Sequence, residues 1–247
     1  MERKVCWNIT NRCNLTCKHC FRNLIEPELS FKNNFKIMKK LKAMGIKRIN
    51  WSGGEFFLYK DYLRLLKAAK RLKLKCSLTT NALLLNEHII DKIVKYIDYI
   101  TFSVEFVDDK ENEKFGRGSN YFKNLTHIIS YINNKYPNFK IKINTVIMKT
   151  NIDKLDDIYK ELRKYKIYHW KFMEFCPFRT HDNEKINNLS ITLPQLKSVI
   201  NQFTGIEFKT TFDRRKDMEN QLVVSPSGNL IMSRKNMDII LIDNMYE

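Results

Sequence analysis

The sequence predicts an α/β fold: a partial, open (β/α)6 barrel with a short C-terminal α+β cover. Three observations carry this reading. Strand-like and helix-like runs alternate six times between Val5 and Phe178. Such alternation specifies a parallel sheet with helices outside it, because each crossover must pass over a face of the sheet. A closed barrel needs eight repeats, and the pattern stops at Pro177. Finally, the polar, motif-like stretches fall at the carboxyl ends of the strands, where sites are built in parallel α/β folds.

Val5–Thr10 is a short apolar, β-prone run and reads as the first strand. Ser30 is placed to cap a helix in which Phe35, Met38, Leu41 and Met44 recur at three-residue spacing, with Gly45 as the stop. Strand two is Arg48–Trp51 and ends in Ser52-Gly53-Gly54-Glu55. Tyr62, Leu65, Leu66, Ala69 and Leu72 mark the second helix, Lys75–Thr80 the third strand, ending at Asn81, and Ile89, Ile90 and Ile93 the third helix. Tyr99–Val104 is strand four, and a loop carrying Gly116-Arg117-Gly118 leads into a helix with Phe122, Leu125, Ile128, Ile129 and Ile132. Strand five is Lys140–Ile147, the next helix carries Leu155, Ile158, Tyr159 and Leu162, and strand six is Trp170–Phe175. Beyond Phe178 the pattern changes. Residues 180–190 read as a polar loop, Thr192–Phe203 as a helix and Arg214–Glu219 as a charged segment. Leu222–Ile231 reads as a hairpin turning at Ser225-Pro226-Ser227-Gly228, and Asp238–Met245 as a last apolar strand. The expected organisation is a core over 1–178 and an extension over 179–247 that covers the barrel mouth, being too short for a core of its own.

A hydrophobic fraction of 43% over 247 residues supports a packed core. No stretch approaches the ~20 consecutive apolar residues that span a bilayer, and Met1-Glu2-Arg3-Lys4 runs straight into the first strand, so the expectation is a cytoplasmic protein with no membrane partner. The balance of 44 Lys+Arg against 27 Asp+Glu, a net +17, suggests an anionic partner such as a nucleotide or an acidic peptide. The same charge is also what a lysine-covered surface in a Lys-, Asn- and Ile-rich chain would carry with no partner. No recognition helix or RNA-binding signature is visible, so nucleic acid is not the expected partner.

Six cysteines do not form a secreted disulfide framework here, because three crowd one loop as Cys13-x3-Cys17-x2-Cys20. Cys6 and Cys76 read as small apolar residues of strands. Thiolates so spaced converge on one metal centre. A zinc ion would want a fourth N or S ligand, from His19 or a distant cysteine; an iron–sulfur cluster normally takes four thiolates, so three would leave one iron open to another ligand.

The C-x3-C-x2-C loop after the first strand resembles that of the radical S-adenosylmethionine (SAM) superfamily, and Ser52-Gly53-Gly54-Glu55 resembles its Gly-Gly-Glu motif, with Phe56 where many members have proline. The resemblance implies the radical SAM type of partial barrel and one [4Fe-4S] cluster on Cys13, Cys17 and Cys20, whose open iron chelates SAM. It implies reductive cleavage of SAM, hydrogen abstraction from a substrate, and an electron donor such as flavodoxin or ferredoxin. Gly53, Gly54 and Glu55 would receive the SAM ammonium group, and Thr80-Asn81-Ala82 resembles the family's Thr-Asn-Gly. Ser103 and Glu105 stand where members place a ribose or methionine contact, Arg117 is a candidate fork for the SAM carboxylate, Asn144 a candidate ribose contact, and His19 a candidate neighbour of adenine. Ile49–Glu55, Gly116-Arg117-Gly118, Lys142–Ile147 and His169–Phe172 resemble viperin-like nucleotide dehydratases in order and spacing, which casts Lys142 and Lys171 as phosphate contacts. Val224–Asn229 instead resembles the start of the extension in peptide-maturing members, without their auxiliary-cluster cysteines. Lys-x-Asn-Thr-Val also occurs in the molybdenum-cofactor GTP cyclase, whose C-terminal signatures are missing. A nucleotide is therefore the first substrate expected, and a peptide or small metabolite the second; a zinc or iron–sulfur regulatory protein is the non-enzymatic alternative.

Overall fold

A computed structural model describes residues 3–20, 26–177, 183–214, 221–232 and 239–247. The chain divides into two compact units. The first contains residues 1–14, 22–100 and 219–247, and the second 15–21 and 101–218.

In the first unit, β1 (Lys4–Asn8), β2 (Arg48–Ser52) and β3 (Lys75–Thr80) pair in parallel. α1 (Phe31–Ala43) joins β1 to β2, α2 (Tyr62–Arg71) joins β2 to β3, and α3 (Glu87–Ile93) follows β3. Ser30 caps α1 by accepting from the Asn33 N–H, as its position in the sequence suggests. The inward stripe of α1 is Asn34, Ile37, Met38 and Leu41, so Met44, assigned to that stripe by spacing, stands 36% exposed at the helix end. Trp7 and Trp51 stack with ring centroids 5.1 Å apart and are wholly buried. The hairpin forms from β8 (Leu222–Val224) and β9 (Leu230–Met232), turning through Gly228 at φ +92. It joins the sheet because β8 lies parallel to β1. β10 (Ile239–Ile242) runs antiparallel to β9.

β4 (Tyr99–Ser103) lies where the chain passes from the first unit to the second. In the second unit α4 (Asp109–Lys114) and α5 (Tyr121–Lys135) precede β5 (Lys140–Ile147), α6 (Leu155–Leu162) connects it to β6 (His169–Glu174), and the two strands are parallel. Ile141, Ile143 and Ile147 of β5 and Trp170 and Phe172 of β6 are fully buried on one face. Trp170 and Phe172 pack there on Phe203 of α8 (Leu193–Phe203), at 5.4 and 5.1 Å between centroids.

Two elements differ from expectation. Residues 183–189 form a helix, α7 (Asn183–Leu189), where a polar loop was expected; 180–182 fall outside the described residues. Its sequence has weak helical preference, and tertiary packing supplies the difference, since Leu189 is buried with Phe106, Phe115, Met148 and Phe175. Residues 209–213 form β7 (Lys209–Asp213), parallel to β6, a strand too short and too polar for periodicity to find. The expected charged segment lies, apart from Arg214, outside the described residues.

Candidate functional site

The cysteine loop follows β1, and its backbone is tied within each unit. In the first, Gly54 N–H donates to Thr10 O at 2.7 Å, and Glu55 N–H to Arg12 O at 2.8 Å. Gly53 makes this approach possible: at φ +142, a Cβ there would lie 2.5 Å from Thr10 O. In the second, Thr16 N–H donates to Gly116 O at 3.0 Å and Lys18 N–H to Phe115 O at 3.1 Å. Gly116 stands at φ +85, and its Cβ would fall 2.4 Å from Thr16 O. Cys13, Cys17 and Cys20 are each half-buried, and none of them is in a disulfide.

Glu55 is 1% exposed. Its carboxylate accepts from the Thr80 hydroxyl at 2.8 Å, from Asn81 N–H at 2.8 Å and from Phe57 N–H at 3.3 Å. Burial raises its pKa, and those three donors oppose the rise. The carboxylate that the sequence reading aimed at an ammonium group thus braces the end of β3. Asn81 turns back to the cysteine loop, its amide donating to Asn14 Oδ1 at 2.8 Å and lying 3.8 Å from Cys13 Sγ. Ala82, where the resembled motif has glycine, adopts φ +68.

In the second unit Arg117 is 2% exposed. Its guanidinium pairs with Glu105, donates to the Ser103 carbonyl at 3.2 Å and to the Tyr121 hydroxyl at 2.7 Å, and lies over the Tyr121 ring at 4.8 Å. Arg117, expected as a fork for the cofactor carboxylate, here meets a carboxylate of the chain's own. Burial pulls the Arg117 pKa down, but Glu105, Tyr121 and Cys17 push it up and prevail. Burial raises the Glu105 pKa against the pull of Arg117 and the Val146 N–H. Ser103 takes part through its carbonyl, which also accepts from Tyr121 at 2.6 Å. His19 stacks on Phe115 at 5.3 Å.

Opposite the helix-packed face of β5 and β6 lies a polar one. Strand register sets Lys142 beside His169 and Lys209 in one row, Asn144 beside Lys171 and Thr211 in the next, and Val146 beside Met173 and Asp213 in the third. Lys171 forms an ion pair with Asp213, and His169 Nε2 lies 2.8 Å from Thr211 Oγ1. Burial, then Lys142, Lys209 and Lys171, push the His169 pKa down to about 4 against the pull of Asp213, so the imidazole is neutral near neutral pH. Sequence reading singled out Lys142, Asn144 and Lys171; it did not single out His169, one residue before its sixth strand, or Lys209, Thr211 and Asp213, whose signal is register with a strand it had not found. A separate cleft of about 410 Å³ between α1 and α2, lined by Phe31, Phe35, Arg64, Lys67 and Arg71 among others, holds none of the expected site residues.

The donor set can be weighed against the group it would hold. Among the described residues no three His, Cys, Asp or Glu side chains gather as a single ion requires. A cluster takes one thiolate per iron, and three cysteines outside any disulfide supply that kind of donor. Arg117 adds a buried Nε with no hydrogen-bond partner among the described residues. No described helix is long and apolar enough to cross a membrane.

The chain is similar to several known proteins. A relative from Lacinutrix mariniflava named S-adenosylmethionine-dependent nucleotide dehydratase is 25% identical over 87% of this chain, which spans only 47% of that protein. One of the same name from Flammeovirga pacifica is 25% identical, covering 95% of this chain and 83% of its own length. A GTP 3′,8-cyclase from Clostridium botulinum is 29% identical over 69% of this chain and 55% of its own. Among solved structures, native anSMEcpe with bound AdoMet and Cp18Cys peptide shares the fold, with a TM-score of 0.75 and 14% identity over 99% of this chain and 78% of that one. The profile described as Radical SAM superfamily matches residues 7–162, well over half of the sequence and from strand β1 through helix α6, and the chain belongs to that superfamily.

Proposed function

We propose that this chain carries out radical SAM chemistry on a nucleoside triphosphate, with Cys13, Cys17 and Cys20 as cluster ligands and residues 1–178 as the core. Radical SAM proteins use a [4Fe-4S] cluster and SAM, which together supply the one-electron cleavage of SAM and removal of hydrogen from the substrate. The chain's own contribution is orientation and exclusion of water. Gly53, Gly54 and Gly116 hold the backbone of the cysteine loop in place, Asn81 steadies Cys13, and Arg117 sets positive charge near Cys17. Gly53, Gly54, Glu55, Asn81, Ser103, Arg117, Asn144 and His19 remain the proposed surroundings of SAM. The electron comes from a donor such as flavodoxin or ferredoxin.

One observation carries the substrate assignment: Lys142 and Lys171 share the polar face of β5 and β6, with Asn144 beside Lys171. Lysine is a point-charge phosphate binder, and two on one sheet face suit a polyphosphate better than a neutral metabolite. The relatives named nucleotide dehydratase support the same class.

The test is anaerobic. The cluster is reconstituted and reduced, SAM is added, and 5′-deoxyadenosine is quantified with and without each nucleoside triphosphate, with Cys17→Ala as the background. Stimulation by a triphosphate is expected. Stimulation by none, or by a peptide instead, overturns the substrate assignment, and a protein that binds zinc but assembles no cluster overturns the whole reading.

A further inference from the structure

Resting on the triphosphate reading, we propose that β7 forms the third wall of the phosphate site: Lys209 binds the anion together with Lys142 and Lys171, Thr211 is a positioning residue that holds His169, and Asp213 is the carboxylate that the anion displaces from Lys171. The juxtaposition is a matter of register. Adjacent strands lie about 4.8 Å apart and alternate residues along a strand about 6.6 Å apart, so Lys142, Lys171 and Lys209 occupy a small grid on one face. On that scale successive phosphates can each meet an ammonium group.

The charge balance points the same way. The three rows carry three lysines and one carboxylate, Asp213, so a phosphate placed there meets ammonium groups of opposite charge. His169 sits among them between Lys142 and Lys209 and is held neutral, so it serves as a hydrogen-bonding group and adds no fourth charge. Its partner is Thr211. Lys171 is neutralised by Asp213, and a phosphate oxygen arriving there takes over the ammonium.

Position along the strands orients the ligand. His169 and Lys209 are the first residues of β6 and β7, and Lys142 the third of β5. The phosphate tail therefore points to the amino ends of these strands, and the sugar to their carboxyl ends, where sites form in parallel folds.

Inorganic tripolyphosphate tests this apart from any base or sugar, with its binding to the reconstituted full chain measured by calorimetry at several salt concentrations. Lys209→Gln is expected to weaken binding about tenfold or more and to lower the salt slope by about one charge, with Lys209→Arg restoring most of both. Asp213→Asn removes the competing carboxylate and is expected to tighten binding several-fold, which loss of a merely structural contact would not do. Lys209 is exposed at a strand start, so its variants fold. If Lys209→Gln binds as the wild type does while Lys171→Gln loses binding, β7 is no part of the site and the proposal falls with the triphosphate reading intact. If the wild type binds tripolyphosphate through Lys209 but no nucleoside triphosphate stimulates 5′-deoxyadenosine formation, the anion site stands and the nucleotide reading falls. If the wild type does not bind tripolyphosphate, the proposal is overturned outright.

Discussion

Glu55 and Glu105 are each 1% exposed and follow the ends of β2 and β4, yet their surroundings differ in kind. Glu55 is held by a hydroxyl and two backbone N–H groups, all neutral. Glu105 is held by the buried guanidinium of Arg117. Neutral donors stabilise a buried carboxylate while leaving it free to take up a proton. An ion pair stabilises it more strongly but binds two residues into one fate, because removing either strands a charge in a low-dielectric interior. The first unit thus braces its strand end with hydrogen bonds, and the second with charges.

The largest expected effect follows directly. Arg117→Met leaves Glu105 buried and unpaired and should cost about 3–5 kcal/mol of unfolding free energy. Adding Glu105→Gln should recover part of that loss, since no lone charge remains. Glu55→Gln keeps the shape and one acceptor oxygen and should cost about 1–2 kcal/mol. Urea unfolding of the four proteins reads all of this, and a Glu55→Gln loss as large as that of Arg117→Met would erase the distinction.

Acidity separates two single groups, because Glu55 and His169 respond with opposite sign. His169 in the second unit has a depressed pKa, so the stability from its neutral form is complete above its ordinary value of 6.5 and is lost as pH falls through about 4. That contribution is at most ~3 kcal/mol. Wild type should therefore lose more stability than His169→Asn between about pH 7 and pH 4, and parallel losses would show that His169 is not desolvated among cations. Glu55 has a raised pKa. Its contribution is complete at low pH and is lost as pH rises through that raised value, and Glu55→Gln should remove this dependence.

These differences mark how far residues alone could lead. The β/α alternation was legible because buried strands and amphipathic helices repeat at their own periods, and the cysteine loop because its spacing is local. The Arg117–Glu105 pair was not, since twelve positions separate the two in sequence and only the folded turn brings them together. Gly53 was read as a glycine that a ligand approaches; that the Cβ it lacks would fall 2.5 Å from Thr10 O is set by the fold and is not visible in the sequence. β7 escaped because Thr210 and Thr211 carry no apolar alternation. With it went Lys209 and Asp213, whose place beside Lys171 is defined only by strand register.

The smallest expected effect is a difference between two neighbouring glycines. Gly116 and Gly118 stand at φ +85 and +80, so alanine at either bears nearly the same backbone penalty, about 1 kcal/mol. Only their surroundings differ. A Cβ at Gly118 meets nothing within 4 Å, whereas at Gly116 it meets Thr16 O at 2.4 Å, a backbone atom of the cysteine loop. Gly116→Ala should therefore cost a further ~1–2 kcal/mol and lower the iron retained per chain after reconstitution, while Gly118→Ala should show the backbone penalty alone and full iron. Equal iron in both would mean that the Phe115–Gly116 turn does not hold the loop for metal binding, leaving Gly53, Gly54 and Asn81 of the first unit to do so.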